Sequence, residues 1–183
     1  MTELTVRKTG RLRNGRVSSA GACYFVTACV QNRVPVLTSL DQLKRIHSVM
    51  HAMAVAEDWR LLAVTVMPDH VHVLFCLGER LMLDRLIAKF KSLSRPTDTA
   101  WRWQANVFEH RLRADEESED YAFYIFMNPY RAGLISSLEV WPGWLRTADW
   151  TWRFESGLNA DGSPPREWID RVKEIETRIR IGE

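Results

Sequence analysis

Between Trp59 and Leu77 two apolar, strand-like runs are separated by Met67-Pro68-Asp69. Proline lacks an N–H and fixes φ, and a Pro-Asp pair opens a turn, so these runs predict an antiparallel hairpin. Its second strand, residues 70 to 77, begins His70-Val71-His72-Val73. Side chains alternate along a strand, which puts both imidazoles on one face and Val71, Val73 and Phe75 on the other. The apolar side must be buried against helices, and the other side carries two metal-competent nitrogens. Taken alone, the motif is short. It fits a metal site, and it equally fits two histidines satisfied by hydrogen bonds in a polar groove.

Around this hairpin the hydrophobic period changes repeatedly. Gly21 to Val30, rich in aromatic and β-branched residues, predicts a first strand ended by Gln31-Asn32-Arg33 and Pro35. Leu43, Ile46, Met50 and Met53 form one helical stripe between Asp41 and Asp58, with Ser39 or Asp41 as caps. After Gly78-Glu79 a second stripe, Leu83, Leu86, Ile87 and Phe90, predicts a helix. Asn106 to Arg113 alternates as a fourth strand. The order βαββαβ predicts an α+β chain with a ferredoxin-like split βαβ antiparallel sheet, both helices on one face and the other face left for a site. Ala114 to Asn128, acidic at its start and stopped by Pro129, predicts a third helix. Beyond Gly133, Trp141, Trp144, Trp150 and Trp152 come with few periodic cues. Gly157 to Pro165 reads as a linker, and Trp168, Val172, Ile175 and Ile179 mark an amphipathic helix over 166–180. The expected organisation is a basic arm over 1–20, a catalytic domain over 21–150, and a linker with a C-terminal helix over 151–183.

The chain of 183 residues is long enough for one core with extensions, and its 46% hydrophobic and 26% charged residues are ordinary for a globular protein. No apolar run approaches the roughly 20 residues that span a bilayer, and the first residues lack a secretory pattern, so a cytoplasmic protein is expected. Cys23, Cys29 and Cys76 show no C-x-x-C spacing and read as buried thiols rather than a disulfide framework. The formal net charge is only +2, but residues 1 to 16 hold Arg7, Lys8, Arg11, Arg13 and Arg16 against Glu3. Such an arm suits phosphates or base edges, and it equally fits a solvated terminus.

On the predicted third helix, Tyr121, Tyr124 and Asn128 fall at i, i+3 and i+7. If that helix crosses the open sheet face, Asn128 can offer its amide oxygen to a divalent ion held by His70 and His72, with a tyrosine beside it. Two imidazoles, an amide and open positions suit Mg²⁺ or Mn²⁺ acting on phosphates better than a closed zinc site. Tyr121 shares the face and competes with Tyr124 as nucleophile. Tyr24 and Tyr130 read as structural, His110 as a supporting hydrogen-bond partner, and His47 and His51 as incidental. Leu74 stands where a histidine-triad hydrolase needs its third histidine.

Met67-Pro68-Asp69-His70-Val71-His72, with Tyr24-Phe25-Val26-Thr27, Trp103-Gln104, Phe108-Glu109-His110 and Tyr124-Ile-Phe-Met-Asn-Pro-Tyr-Arg-Ala-Gly-Leu134, closely resembles the HUH single-tyrosine (Y1) transposases of the IS200/IS605 superfamily. The similarity is greatest to REP-associated tyrosine transposases and covers about residues 20 to 145. It implies that His70, His72 and Asn128 bind Mg²⁺ or Mn²⁺. Tyr124 would attack single-stranded or hairpin DNA and become joined to its 5′ phosphate. It further implies DNA contacts from Arg11, Arg13 and Arg16 of the arm and from Arg85, Lys89 and Lys91, a nucleoid-associated location, and a monomer, with a dimer as the alternative. A non-catalytic single-strand-binding module on the same fold is the rival reading. Trp141 to Thr147 departs from the family pattern, and the chain from Gly157 onward has no counterpart in it.

Overall fold

The computed structural model describes residues 18–147 and 150–181. Its elements run β1 (Cys23–Cys29), α1 (Leu40–Val55), β2 (Trp59–Val66), β3 (His70–Leu77), α2 (Leu83–Ser94), β4 (Phe108–Arg111), α3 (Ser118–Arg131), β5 (Trp144–Arg146) and α4 (Trp168–Glu176). The strands form one sheet in the order β4-β1-β3-β2-β5, with every pairing antiparallel. The α+β, ferredoxin-like expectation holds, with β5 added at the edge of β2. The basic arm, including Arg11, Arg13 and Arg16, lies outside the described residues.

The sheet is covered on both sides. Val26, Ala28, Val64, Val66, Val71, Val73 and Phe75 pack with Leu43, Ile46, Met50 and Met53 of α1 and Leu83, Leu86 and Phe90 of α2. The Ser39 hydroxyl accepts from the Gln42 N–H and caps α1. On the opposite side Phe25, Ala63, Leu74 and Cys76 meet α3, which is itself covered by Phe154 and by Trp168, Val172 and Ile175 of α4. A slip in the β2 register between Leu61 and Ala63 keeps Leu61 on the first side and puts Leu62 and Ala63 on the second.

Four details differ from the sequence reading. Helix α3 does not stop before Pro129 but carries it in its last turn. The stop is Gly133, whose φ of 67° is readily adopted only by glycine; its N–H donates to the Tyr130 carbonyl, and the Leu134 N–H to that of Pro129. Strand β5 carried no periodic signal because it is three residues long and is set by Gly143: the Val66 N–H donates to the Gly143 carbonyl, and a Cβ there would lie 2.3 Å from the Val66 oxygen. The tail helix is shorter than expected, ending at Glu176. Finally, Cys23 and Cys76 are directly opposed in the β1–β3 register with Cα atoms 3.9 Å apart and form a disulfide, so the expectation of buried thiols is corrected for these two, while Cys29 is in no disulfide and is half-buried. The cause is register, which brings together two side chains distant in the chain.

Candidate active site

His72 stands in the middle strand of the sheet, opposite Thr27 of β1 and Thr65 of β2, on the face covered by α3. It is fully buried. The Thr27 hydroxyl lies 2.9 Å from its Nδ1, and Phe25 stacks on its ring at 5.6 Å. His70, at the mouth of the same strand, gives its Nδ1–H to Asp69 Oδ1 at 2.6 Å. With both Nδ1 atoms engaged, the two Nε2 atoms point at each other, 3.0 Å apart. The amide of Asn128 on α3 reaches to 3.1 Å from His72 Nε2. Burial first, then the charges of His70, Arg131 and Arg33, push the His72 imidazole well below its ordinary pKa, so it stays neutral and competent as a ligand.

This donor set fits a divalent cation. His70 donates from Nδ1, so its Nε2 carries a lone pair; when Thr27 accepts from Nδ1 of His72, the second Nε2 does too, and two lone pairs converge beside an amide that can turn its oxygen inward. That arrangement is repulsive without a cation and ligating with one. Among the described residues the Thr65 hydroxyl, on the strand next to His72, is buried without a hydrogen-bond partner, which is consistent with a polar site that takes something more. Among the described residues no group of three or more His, Cys, Asp or Glu side chains could hold a metal.

Tyr124 lies one turn before Asn128 on α3, on the same side of the sheet as the histidine pair. Its ring meets the His72 ring edge-on at 5.6 Å, and its hydroxyl accepts from Arg131 Nη2 at 3.3 Å. The Arg131 guanidinium also lies over the tyrosine ring at 5.4 Å, while its Nη1 sits 2.6 Å from the Glu176 carboxylate of α4. Tyr124 is completely buried.

Tyr121 goes elsewhere. Its hydroxyl donates to Glu116 at 3.0 Å and accepts from the Arg180 N–H, and its ring stacks on His110. Burial first, and then the Glu116 carboxylate, push the phenol up to about 12. His110 bonds Glu116 at 2.7 Å and so belongs to this second cluster rather than to the histidine pair. Burial raises the Glu116 carboxyl, but the Arg113 N–H, His110 and Tyr121 outweigh it and hold it below its usual range. Phe25 stands between the two groups, touching His72, Tyr121 and Tyr124.

The basic residues of α2 lie on the other side of the sheet. Lys89 is ion-paired with the buried Asp58, and the Lys91 ammonium bonds the carbonyls of Gln104, Ala105 and Asn106. Arg85 is exposed. His47 and His51 sit on α1, also away from the pair. Sequence reasoning did not single out Thr27, Arg33, Glu116 or Arg131; only Arg131 carried a visible signal, as the residue one turn beyond Asn128.

A ferredoxin-like sheet thus carries converging imidazoles on one face, with a tyrosine-bearing helix across them. Residues 19–101 match the family described as "Transposase IS200 like", a span from the start of β1 past α2. The match covers the strands and helices around the histidine pair, the part of the chain whose motifs resemble those transposases. It is similar to a putative REP-associated tyrosine transposase of Haemophilus influenzae, 22% identical over 138 residues that cover 67% of this chain and 78% of that one. It is also similar to a REP-associated tyrosine transposase of Escherichia coli, 24% identical over 127 residues covering 67% and 74%. A solved REP-associated tyrosine transposase, described as bound to a REP hairpin, shares the fold with a TM-score of 0.57 and 22% identity, over 66% of this chain and 73% of that one. Tyr124 and Asn128 lie beyond the family-matched span. Among the described residues no helix is long and apolar enough to cross a membrane.

Proposed function

We propose that this chain is a single-tyrosine transposase that cleaves and rejoins single-stranded DNA at REP-like hairpins. One observation carries the reading: the phenol of Tyr124 packs against the ring of His72, whose Nε2 converges with that of His70 and with the Asn128 amide. The relatives, transposases of which one is described with a REP hairpin, support the substrate class.

His70, His72 and Asn128 would hold Mg²⁺ or Mn²⁺, which would supply charge neutralisation at the scissile phosphate and the departing oxygen. The chain's residues do the rest. Thr27 and Asp69 fix both imidazoles from behind, so the ligands need no reordering. Arg131 holds the Tyr124 hydroxyl from one side. The phenol oxygen attacks phosphorus, a Tyr–O–P bond forms, the P–O3′ bond breaks, and the phenol proton is released as the 3′ oxygen gains one. Because the phosphotyrosine keeps the energy of the broken ester, a second 3′-OH reverses the step without a nucleotide cofactor. Tyr124 is buried, so DNA reaches it only when neighbouring side chains part. The protein acts where cellular DNA is, in the cytoplasm, and as a monomer. The rival reading, bases stacked on open sheet aromatics, loses support because helices cover both faces of the sheet.

The test is incubation of the protein with labelled single-stranded hairpins from its own genomic flanks, with and without Mn²⁺. A covalent adduct that needs the cation and disappears in Tyr124→Phe is expected. No adduct with any hairpin, or one that survives Tyr124→Phe and is lost in Tyr121→Phe, overturns the assignment.

A further inference from the structure

Arg33 stands beside the histidine pair on a backbone built to keep it there. Gln31–Arg33 forms one tight turn after β1, in which Asn32 (φ 59°, ψ 16°) and Arg33 (φ 55°) are both left-handed, a conformation that asparagine tolerates and arginine avoids. The turn is pinned at its base. The Val30 N–H donates to the Asp69 carbonyl at 2.8 Å, Gln31 N–H to the Arg102 carbonyl at 2.7 Å, and Arg33 N–H back to Val30 at 3.1 Å. From there Arg33 Nη1 lies 3.5 Å from Asp69 Oδ2, while the other oxygen of the same carboxylate holds His70 Nδ1. One aspartate therefore orients both a proposed ligand and a guanidinium. The Arg33 side chain is 49% exposed. A half-exposed ion pair is weak, and alone gives no reason for a left-handed arginine; strain of this kind gathers where a side chain must be aimed.

We infer that Arg33 is a substrate-binding residue: its guanidinium takes a non-bridging oxygen of a phosphodiester in the DNA strand lying across His70 and His72. A guanidinium has five N–H donors in a planar fork, and the contact to Asp69 engages one edge of it, leaving a geometry suited to a phosphate. The position is half open, as a contact to arriving polymer requires, and lies on the His70 side of the site, whereas Arg131 holds the Tyr124 side. This inference rests on the DNA-processing reading above.

The experiment pairs Arg33 variants with hairpin DNA in which single phosphates around the cleavage point are replaced by neutral methylphosphonates. Arg33→Ala should lower adduct formation on ordinary DNA by about 10–100-fold, the range for one charge-assisted contact, with unchanged melting. Arg33→Gly, which relieves the strained φ, should lose as much, and Arg33→Lys should recover part. At one phosphate the losses should not multiply: once that charge is gone, Arg33→Ala costs nothing further. Wild-type rates in Arg33→Ala, or losses that multiply at every phosphate, overturn the inference. If the wild-type protein makes no adduct, the strand-transfer reading fails by itself, and the same non-additivity measured in hairpin affinity decides for or against Arg33.

Discussion

On the side of the sheet under α1 and α2, strand residues Val26, Ala28, Val64, Val66, Val71, Val73 and Phe75 are buried against other apolar groups. On the side under α3 and α4, the same three strands bury Thr27, Thr65 and His72, and the helix above adds Asn128. Each residue of the first set stabilises by its removal from water, roughly 1.5–3 kcal/mol for a large side chain. Each of the second costs free energy unless its polar atoms are paired, and the Thr65 hydroxyl has no hydrogen-bond partner among the described residues. Both sides of the sheet carry an apolar core, but among the described residues the buried polar side chains of these three strands all lie on the second side.

That separation can be broken by experiment. The largest effect is expected for Tyr124→Phe. Adduct formation should fall by about three orders of magnitude or more, while thermal melting stays near wild type, since the ring is kept and one hydroxyl contact is lost. A large melting loss would mean the two faces share their roles. Leu86→Ala on the opposite face should do the reverse, lowering stability by about 2–5 kcal/mol in denaturant titrations while adduct formed per folded molecule is unchanged. Thr27→Val sharpens the comparison because it keeps volume and removes the hydrogen bond behind His72. Metal affinity measured by calorimetry should weaken about 10–100-fold, with a stability loss of about 1–3 kcal/mol. The smallest effect concerns Tyr121. Its phenol titrates near 10 in the unfolded chain and is held up to about 12 in the fold, so its contribution is complete below pH 10 and is lost as the pH rises toward 12. In Tyr121→Phe the alkaline part of the pH–stability curve should flatten; unchanged curvature would place the titration elsewhere.

Much of this was legible in the residues. Alternation along residues 70 to 77 already gave the partition of His70 and His72 from Val71, Val73 and Phe75, and the spacing on α3 put Tyr124 and Asn128 on one side. What escaped the sequence depends on partners that register and packing supply. Lys89 and Lys91 look like free cations on a helix, yet Asp58 and three carbonyls of the chain after α2 engage them. Tyr121 and Tyr124 are both compatible with the site by spacing, and what separates them is Glu116, which precedes the helix and draws one hydroxyl away. The Cys23–Cys76 bond needs the register of β1 on β3, and the turn that aims Arg33 leaves no periodic trace at all.

Pro129 has a mechanical consequence. With no N–H, it cannot supply the rung that would tie it to the carbonyl of Ile125, so the ladder of α3 lacks one tie between the turn bearing Tyr124 and the turn bearing Asn128. At that one position the turn bearing Tyr124 can shift against the turn bearing Asn128 without breaking a backbone hydrogen bond.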